Sequence, residues 1–303
     1  MTKPIITVIG SINMDLVVSA LRRPKAGETI LGNDFQTSPG GKGANQAVAA
    51  ARLGAEVHMI GCIGNDEFGS ELKTFLERET IFLNGVEPVT GISSGVALIT
   101  IAEADNSIIV VPGTNKLVTP EYVRKYEEQI ATSDIVLTQL EIPIESVEEI
   151  ARLCYKHQTP LILNPAPAME LNENLIKLAS YITPNEIELA YLEKTEIELS
   201  NYPEKLIVTQ GKDGVIYHDG DGICKVPSFI VPTVDTTGAG DTFNGAFAYA
   251  ISKNKNVKAA CNFANAAAAL SVQKMGAQGG MPTKDEVNKF LRAQGIANAE
   301  IRD

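Results

Sequence analysis

The sequence predicts an α/β fold, in which a doubly wound, mostly parallel sheet carries a small projecting β-sheet as a lid. Two observations lead to this class. Short runs rich in Val and Ile alternate with helical patterns from residue 5 onward, as repeated βα units do. Two stretches in the first part of the chain break that order, with the polar and apolar alternation of antiparallel strands.

The strands of the main sheet are predicted from apolar runs without polar alternation, which is typical of strands buried on both faces. These runs are IITVIG (5–10), VHMIGCIG (57–64), DIVLTQ (134–139), PLILNP (160–165) and LIVTQG (206–211). Helices with apolar residues at three- and four-residue spacing are predicted between the strands. They are GANQAVAAARLG (43–54), DEFGSELKTFLERE (66–79), TPEYVRKYEEQIAT (119–132) and PIESVEEIARLCYKH (143–157).

The projecting sheet is predicted from two regions, approximately residues 12–38 and 93–113, inserted within a single domain of residues 1–303. They contain INMDLVVSA and ETILGNDFQTS, then SGVALITIA and NSIIVVPG. We expect these strands to cover a site at the ends of the main strands. The alternative is that they only extend the edge of the main sheet.

Composition narrows the classes of partner. Hydrophobic residues make up 44% of the 303 residues and charged residues 21%, which is ordinary for a globular protein. The net charge of -11 argues against a nucleic-acid or anionic-membrane surface, because such surfaces need an excess of Lys and Arg. No apolar run reaches the roughly 18–20 residues of a membrane span, and no signal-peptide pattern opens the chain. We therefore expect a cytoplasmic protein that binds a small molecule, with its four cysteines as reduced thiols.

The segment VDTTGAGDTFNGAF (234–247) places a turn of small residues just before a helical pattern. The first amides of a helix lack internal partners, so Gly238, Ala239 and Gly240 favour an anion site. A carboxylate at Asp241 would repel an anion, yet it suits a base that takes the proton of a phosphoryl acceptor beside those amides. The alternative, equally good on this segment alone, is that Asp241 is a plain helix N-cap.

Two further motifs favour a polyhydroxylated ligand. In PGGKGANQA, glycines surround Lys42 ahead of a helix, so backbone amides and the ends of Lys42 and Asn45 can approach hydroxyl groups. It is not a Walker A loop, because the spacer and the following Ser or Thr are absent. In GSINMDLVV, Asn13 and Asp15 share one face of a strand, where a carboxylate can accept from a sugar diol. The alternative for PGGKGANQA is a flexible turn, and the alternative for Asp15 is an acid on a surface strand.

Six motifs occur in the order seen in the ribokinase-like (PfkB) carbohydrate kinases, which the chain resembles from about residue 4 to residue 292. The motifs are GSINMD, GGKGANQA, NPAPA, TPNEIE, VTQGKDG and DTTGAGDTFNGAF. The resemblance implies that family's fold and transfer of the γ-phosphoryl group of Mg·ATP to O5 of D-ribose. Alternative acceptors are 2-deoxyribose, another sugar or a nucleoside. A non-catalytic sugar or nucleotide sensor is the alternative from another class.

The resemblance also implies a role for individual residues. Asp241 is then the base, and the amides of Gly238, Ala239 and Gly240 form the anion hole. The residues expected at the ribose are Asn13, Met14, Asp15, Gly40, Gly41, Lys42, Gly43, Asn45, Glu141 and Asp241. The residues expected at the nucleotide and its hydrated Mg²⁺ are Asn185, Glu188, Thr209, Gln210, Gly211, Lys212, Gly214, Gly240 and Asn265. An ordinary core methionine explains Met14 equally well.

A monovalent-cation site is implied as well. The residues that would hold K⁺ are Asp235, Thr237, Ser271, Lys274, Gly276 and Gly280. Family members often have a hydroxyl residue at the position of Gly280, so its absence implies a water ligand or a weaker site. The alternative for Asp235 is a cap of its turn.

The resemblance also implies a homodimer and one departure in the fold. The dimer would form through apolar residues of the projecting strands, such as Val17, Leu98 and Ile108. The segment LSNYPEK (199–205) stands where the family has a full helix, which predicts that one crossover is a loop.

Overall fold

The predicted apolar runs form strands and the predicted amphipathic segments form helices, with two differences. The run at 206–211 pairs in an antiparallel sheet and not in the main parallel sheet, and the segment 119–132 forms two short helices in place of one. A computed structural model describes residues 2–103, 105–195 and 197–301. The strands are β1 (Ile5–Ile9), β2 (Asn13–Ser19), β3 (Asp34–Gly40), β4 (Glu56–Gly64), β5 (Phe82–Val89), β6 (Gly95–Ala102), β7 (Asp105–Val111), β8 (Ile135–Thr138), β9 (Leu161–Leu163), β10 (Tyr181–Ile182), β11 (Ile207–Thr209), β12 (Val215–His218) and β13 (Ile223–Val226). The helices are α1 (Lys42–Arg52), α2 (Glu67–Arg78), α3 (Pro120–Arg124), α4 (Glu127–Ala131), α5 (Ile144–His157), α6 (Glu173–Leu178), α7 (Glu186–Leu192), α8 (Ala239–Ser252), α9 (Val257–Ser271) and α10 (Lys284–Ala293).

The main sheet is parallel and has the order β10-β9-β8-β1-β4-β5. Single bridges join Ile182 to Leu206 and Asn185 to Thr209, so the antiparallel strands β11-β12-β13 continue the sheet beyond β10. The strands β4 and β5 lie on one side of β1, whereas β8, β9 and β10 lie on the other side. The strand order therefore reverses between β1 and β8. Open α/β sheets place their ligand sites at such a switch point, outside the carboxyl ends of the strands.

Two layers of helices cover the two faces of this sheet. Neighbouring residues of a strand point to opposite faces, and β1 shows this directly, since Val8 belongs to one hydrophobic cluster and Ile9 to the other. One cluster includes residues of α1, α8, α9 and α10, and the other includes residues of α3, α5 and α6. The doubly wound, mostly parallel α/β class is therefore confirmed.

The projecting sheet is separate from the main sheet and has the order β3-β2-β6-β7. The pairs β2–β3 and β6–β7 are antiparallel, whereas β2 and β6 pair in parallel. The alternative that these strands only extend the main sheet is wrong, because a second sheet forms. Every residue of the edge strand β7 is exposed. The single-domain organisation stays a prediction.

The segment before β11 is short, as expected. Residues 199–201 and 203–205 form single 3-10 turns in place of a full helix. Tyr202 donates to the Glu173 carboxylate at 2.8 Å, and Lys205 Nζ donates to the Ala179 carbonyl at 2.6 Å, so both residues fasten the segment near α6. Across the described ranges, no helix combines the length and hydropathy needed to cross a membrane.

Candidate active site

Polar side chains follow the strands of the main sheet where each strand ends. The parallel register aligns Ile9 with Thr138 and Thr138 with Leu163, so these ends lie level with one another. The polar residues that follow within four positions are Ser11 and Asn13 after β1, Gln139 and Glu141 after β8, Asn164 after β9, and Asn185 after β10. One edge of the sheet thus collects residues that are far apart in the sequence.

Asp241 lies in the first turn of α8, which begins after Gly238. Its side chain is buried, and each carboxylate oxygen accepts one hydrogen bond from a side-chain amide of α1. Asn45 Nδ2 donates to Oδ2 at 2.9 Å, and Gln46 Nε2 donates to Oδ1 at 2.9 Å. The N-cap alternative is wrong, because Gly238 is the cap and the Asp241 carboxylate accepts from α1.

We call the region around Asp15, Lys42, Glu141, Glu188 and Asp241 the cleft, because the four carboxylates all act on the ammonium group of Lys42. Burial raises the pKa of Asp15 to about 7, and the charges of Glu141 and Asp241 add to the effect, while Lys42 opposes it. Burial also raises the pKa of Asp241, and the positive charge of Lys42 is the largest effect that lowers it. Burial alone would lower the pKa of Lys42, but the surrounding carboxylates outweigh it and the pKa is raised. The ammonium group therefore stays charged among acids that are short of solvent.

Glu141 and Ser11 hold the start of α1, which has no cap of its own because Gly41 precedes it. Glu141 Oε2 accepts from Ser11 Oγ at 2.5 Å and from the Lys42 amide at 3.1 Å. The Gly43 amide donates to Ser11 Oγ at 3.3 Å. A carboxylate from the segment that follows β8 therefore satisfies the helix terminus, which is a favourable place for negative charge.

Asn13 lies at the junction of the main and projecting sheets, opposite Gly40 at the end of β3. Asn115 Oδ1 accepts from the Ile12 amide at 2.9 Å, and Asn115 Nδ2 donates to Asn13 Oδ1 at 2.7 Å. The Asn13 amide oxygen is thereby used, which leaves its Nδ2 donor for a ligand. Met14 is fully buried within the main hydrophobic cluster, in agreement with the core explanation.

The predicted anion hole begins in the left-handed conformation that favours glycine, with φ of 75° at Gly238. A Cβ there would lie 2.5 Å from the Ala277 carbonyl oxygen, so the turn is packed against the 275–280 loop. The Ala239 amide donates to the Thr236 carbonyl at 3.2 Å. An anion would compete with that bond, and the neighbouring amides of Gly238 and Gly240 belong to the same helix start.

Asp235 joins two loops. Its Oδ1 accepts from the Thr237 amide and hydroxyl at 2.9 and 2.7 Å, and its Oδ2 accepts from the Gly276 amide at 2.8 Å. These bonds match the turn-cap alternative. A Cβ at Gly280 would collide with the Ser271 carbonyl oxygen, so these two predicted cation-site residues are in contact, and Lys274 lies in the same loop. In the described ranges, no cluster of three or more His, Cys, Asp or Glu residues is suited to a metal ion.

The predicted nucleotide residues lie beyond β10. Asn185 and Glu188 form a reciprocal capping box at the start of α7, and burial raises the pKa of Glu188. A bridge pairs Asn185 with Thr209, and the Gln210 amide donates to the Gly214 carbonyl at 2.8 Å in the turn that contains Gly211 and the exposed Lys212.

Asn265 of α9 joins this group through the chain that follows β13. Its Nδ2 donates to the carbonyls of Val226 and Pro227 at 3.3 and 3.2 Å, and a Cβ at Gly214 would collide with the Val226 carbonyl oxygen. The structure therefore brings together these predicted nucleotide residues near β10 to β13, whereas Gly240, also predicted at the nucleotide, lies in the first turn of α8.

Sequence reasoning missed the buried amides that support this site. They are Gln46, Asn115, Gln139, Asn164 and Gln278. Gln46 and Asn164 stand within the motifs GGKGANQA and NPAPA, so a signal for them existed. Gln278 stands in the stretch GAQGGMP (276–282), which also resembles the family, whereas Gln139 belongs to no motif and only the fold identifies it.

The model of the pfkB family carbohydrate kinases matches residues 3–284. The chain belongs to this family. This carbohydrate kinase is thus a phosphotransferase that acts on a sugar.

Individual relatives cover nearly the whole chain. It is 54% identical to the ribokinase of Bacillus subtilis (strain 168) over 289 residues, which are 94% of this chain and 99% of the relative. It is 36% identical to the deoxyribokinase of Salmonella typhimurium over 300 residues, which are 94% of this chain and 98% of the relative. The structure of Arabidopsis thaliana ribokinase complexed with ribose and ATP matches with a TM-score of 0.88 at 32% identity, covering 96% of this chain and 99% of that one.

Asp15→Asn should make the carbohydrate kinase more stable at pH 8. The pKa of Asp15 is about 7 in the folded protein against 3.8 for the free side chain, so ionising Asp15 opposes folding. This cost is absent below about pH 4 and grows as the pH rises through 7. We expect a gain in unfolding free energy of about 4 kcal/mol at pH 8, since the shift from 3.8 to about 7 spans about three pKa units and each unit corresponds to about 1.4 kcal/mol.

Urea unfolding at pH 8 and pH 4 measures this gain. Asp221→Asn makes the same charge change on an exposed turn and should stay within about 0.5 kcal/mol of the unsubstituted protein. An Asp15→Asn protein with the same gain at both pH values would contradict the assignment.

Proposed function

We propose that this carbohydrate kinase transfers the γ-phosphoryl group of Mg·ATP to O5 of D-ribose, giving D-ribose 5-phosphate and ADP. The observation that carries the chemistry is the buried Asp241 carboxylate, held by two amide donors beside the start of α8. The choice of sugar is supported by 54% identity to a ribokinase over 94% of the chain.

Asp241 acts as the base in this proposal. It takes the proton of the O5 hydroxyl while the transferring group gains charge, and the amides of Gly238, Ala239 and Gly240 stabilise that charge. A carboxylate whose pKa is raised by burial is a stronger base than one in water, which suits the removal of a hydroxyl proton. The projecting sheet would exclude water that otherwise hydrolyses ATP.

The ribose hydroxyls are held by residues from both sheets. Asp15 and Glu141 supply carboxylate acceptors, and Asn13 supplies its Nδ2 donor, because Asn115 uses the amide oxygen. The other residues proposed at the sugar are Gly40, Gly41, Lys42, Gly43 and Asn45. Lys42 carries a positive charge among the acids, which also suits the phosphoryl group that must approach them.

The nucleotide lies, in this proposal, along the group formed by Thr209, Gln210, Gly211, Lys212 and Gly214, with Asn265 near the adenine. Asn185 and Glu188 would act on the phosphates and the hydrated Mg²⁺, which prefers water and carboxylate oxygens as ligands. Mg²⁺ neutralises phosphate charge when it is bound.

We propose K⁺ as an activator at the loops joined by Asp235. Backbone carbonyls near Ser271, Lys274 and Gly276 supply oxygen ligands without extra charge, and the Asp235 carboxylate balances the ion. Gly280 has no side-chain oxygen to offer, so a water would be the remaining ligand in this proposal.

A homodimer formed through the projecting sheet completes the proposal. Ile108 and Ile109 on the edge strand β7 are 52% and 65% exposed, and Leu98 of the adjacent strand β6 is 43% exposed. An edge strand with apolar side chains is a surface that proteins normally cover. A cytoplasmic location is supported by four free thiols.

ADP release should be fastest with D-ribose and faster in K⁺ than in Na⁺ buffer. A coupled assay with Mg·ATP compares D-ribose, 2-deoxyribose, fructose and adenosine in each buffer. A lead for 2-deoxyribose would match the deoxyribokinase relative and overturn the choice of sugar, while keeping the kinase chemistry. Binding without any ADP release would favour a sensor instead.

Asp241→Asn should lose turnover and keep ribose binding. Removing the base should lower kcat by about 10²–10⁴-fold, while calorimetry still detects ribose, because Asn preserves the shape of the side chain. Near-normal turnover in this variant would exclude Asp241 as the base.

Ile109→Glu should shift the protein from dimer to monomer in sedimentation at micromolar concentration, because a charge on β7 would be buried at the interface. Ile223→Glu is the matched control. Ile223 is 80% exposed on β13, the edge strand of the β11-β12-β13 sheet, which lies outside the proposed interface. A monomeric unsubstituted protein, or equal effects of both changes, would contradict this dimer.

A further inference from the structure

Gln46 occupies a fully buried position on α1, and its amide is completely used by neighbours. Its Nε2 donates to Asp241 Oδ1 at 2.9 Å and to Asn164 Oδ1 at 3.1 Å, while its Oε1 accepts from Gln139 Nε2 at 2.6 Å. An amide nitrogen has two hydrogens, so both are assigned. The side chain therefore links Asp241 to residues that follow β8 and β9.

A backbone carbonyl fixes the direction of this chain of bonds. Asn164 Nδ2 donates to the Thr183 carbonyl oxygen at 3.2 Å, and a carbonyl oxygen can only accept. The Asn164 oxygen must then face Gln46, which requires the Gln46 nitrogen to point toward Asn164 and Asp241. A reversed Gln46 amide would set its oxygen against two acceptors.

Gln139 also favours this orientation of the Gln46 amide, although one of its own polar atoms loses its hydrogen bond. Its Nε2 donates to Gln46, whereas its own Oε1 is buried and has no hydrogen-bond partner within the described residues. A buried acceptor without a partner lowers stability. A position that needed only a filled core would be better served by an apolar side chain.

The second oxygen of Asp241 is held in the same way from the opposite side. Asn45 donates to it, and Asn45 Oδ1 accepts from Gln278 Nε2 at 2.7 Å, so the Asn45 amide is oriented too. Arg52 fixes the backbone behind Gln278 by donating to its carbonyl oxygen at 2.5 Å. Asp241 thus meets one oriented donor at each oxygen.

We propose that Gln46 is a positioning residue for Asp241, and that its bonds to Asn164 and Gln139 force it to donate to the carboxylate, which keeps Asp241 aligned as a proton acceptor. The proposal deepens the function proposed above and rests on Asp241 as its base. It assigns to Gln46 no contact with the substrate.

The direction of the effect on Asp241 follows from the charges around it. Burial raises its pKa, and Lys42, then the donors Gln46 and Asn45, lower it. Glu141 raises it, and the acids Asp15 and Glu188 also face the same site. Removing the Gln46 donor takes away a bond that favours the ionised form, so the pKa of Asp241 should rise and the acid limb of the kcat profile should move to higher pH.

The experiment compares Gln46→Met, which keeps the length of the side chain without a donor, with Asn164→Ala, which leaves Gln46 in place and removes the acceptor that orients it, together with the bond to the Thr183 carbonyl. Asn288→Leu is the matched control. Asn288 is a buried amide of α10 that donates to and accepts from the Ile301 backbone at 2.8 and 3.0 Å. The side-chain carboxyl of Asp241 is titrated by ¹³C NMR in the ligand-free protein, and kcat and KM are measured against pH with Mg·ATP and D-ribose.

We expect both site variants to raise the Asp241 titration midpoint, and Gln46→Met to lower kcat on the order of a hundredfold with little change in the KM for ribose. Asn288→Leu should leave the midpoint in place. An unchanged midpoint in folded Gln46→Met, or in folded Asn164→Ala if the first variant does not fold, overturns the proposal. Because the NMR titration needs no substrate, its result stands even where the unsubstituted protein fails to phosphorylate ribose, which instead contradicts the proposed function.

Discussion

The cleft concentrates negative charge where little water can solvate it. Asp241 acts on both Asp15 and Glu188, Glu141 acts on Asp15 and Asp241, and all four carboxylates act on the ammonium group of Lys42. Such groups are tolerable only with fixed partners, because an unpaired buried charge would cost far more than the few kcal/mol that separate folded from unfolded protein. The amides and helix termini around the cleft supply those partners, and the architecture of the chain follows from the need to deliver them together.

Helix α1 delivers most of them. Its first turn meets the Glu141 carboxylate, its second turn carries the donors to Asp241, and it packs against α8 through small residues. At Gly245 of α8 a Cβ would lie 2.7 Å from the Gln46 carbonyl oxygen, so the two helices approach as closely as their backbones allow. Close packing of this kind resists displacement, and it sets the distance between the Asp241 carboxylate and its donors.

Sequence reasoning found the parts of the site that lie in continuous motifs and missed the parts that only the fold assembles. Four of the six strands of the main sheet and the position of Asp241 before an apolar helix were predictable, because each depends on local periodicity or on the chemistry of one turn. The strands β5 and β10 were missed, since β5 includes a glycine and a proline and β10 has only two residues. The partners of Gln46 and Asn45 were not predictable, since Gln139 is 93 residues from Gln46 and Gln278 is 233 residues from Asn45. A polar glutamine at a strand end has many possible roles, and packing alone selects among them.

The placement of Asp15 makes the charge repulsion in the cleft depend on whether a ligand is bound. Asp15 belongs to the projecting sheet, whereas Glu141 and Asp241 belong to the main part of the fold, so their mutual repulsion acts across the junction at Asn13. With a pKa of about 7, Asp15 in the ligand-free cleft holds a proton for much of the time at neutral pH. Hydroxyl groups that donate to these carboxylates stabilise their ionised forms and reduce the repulsion. A polyol between the two sheets therefore reduces the repulsion between the carboxylates, because it supplies hydrogen-bond donors to both sides of the junction at once. An apolar ligand of the same size supplies no donors.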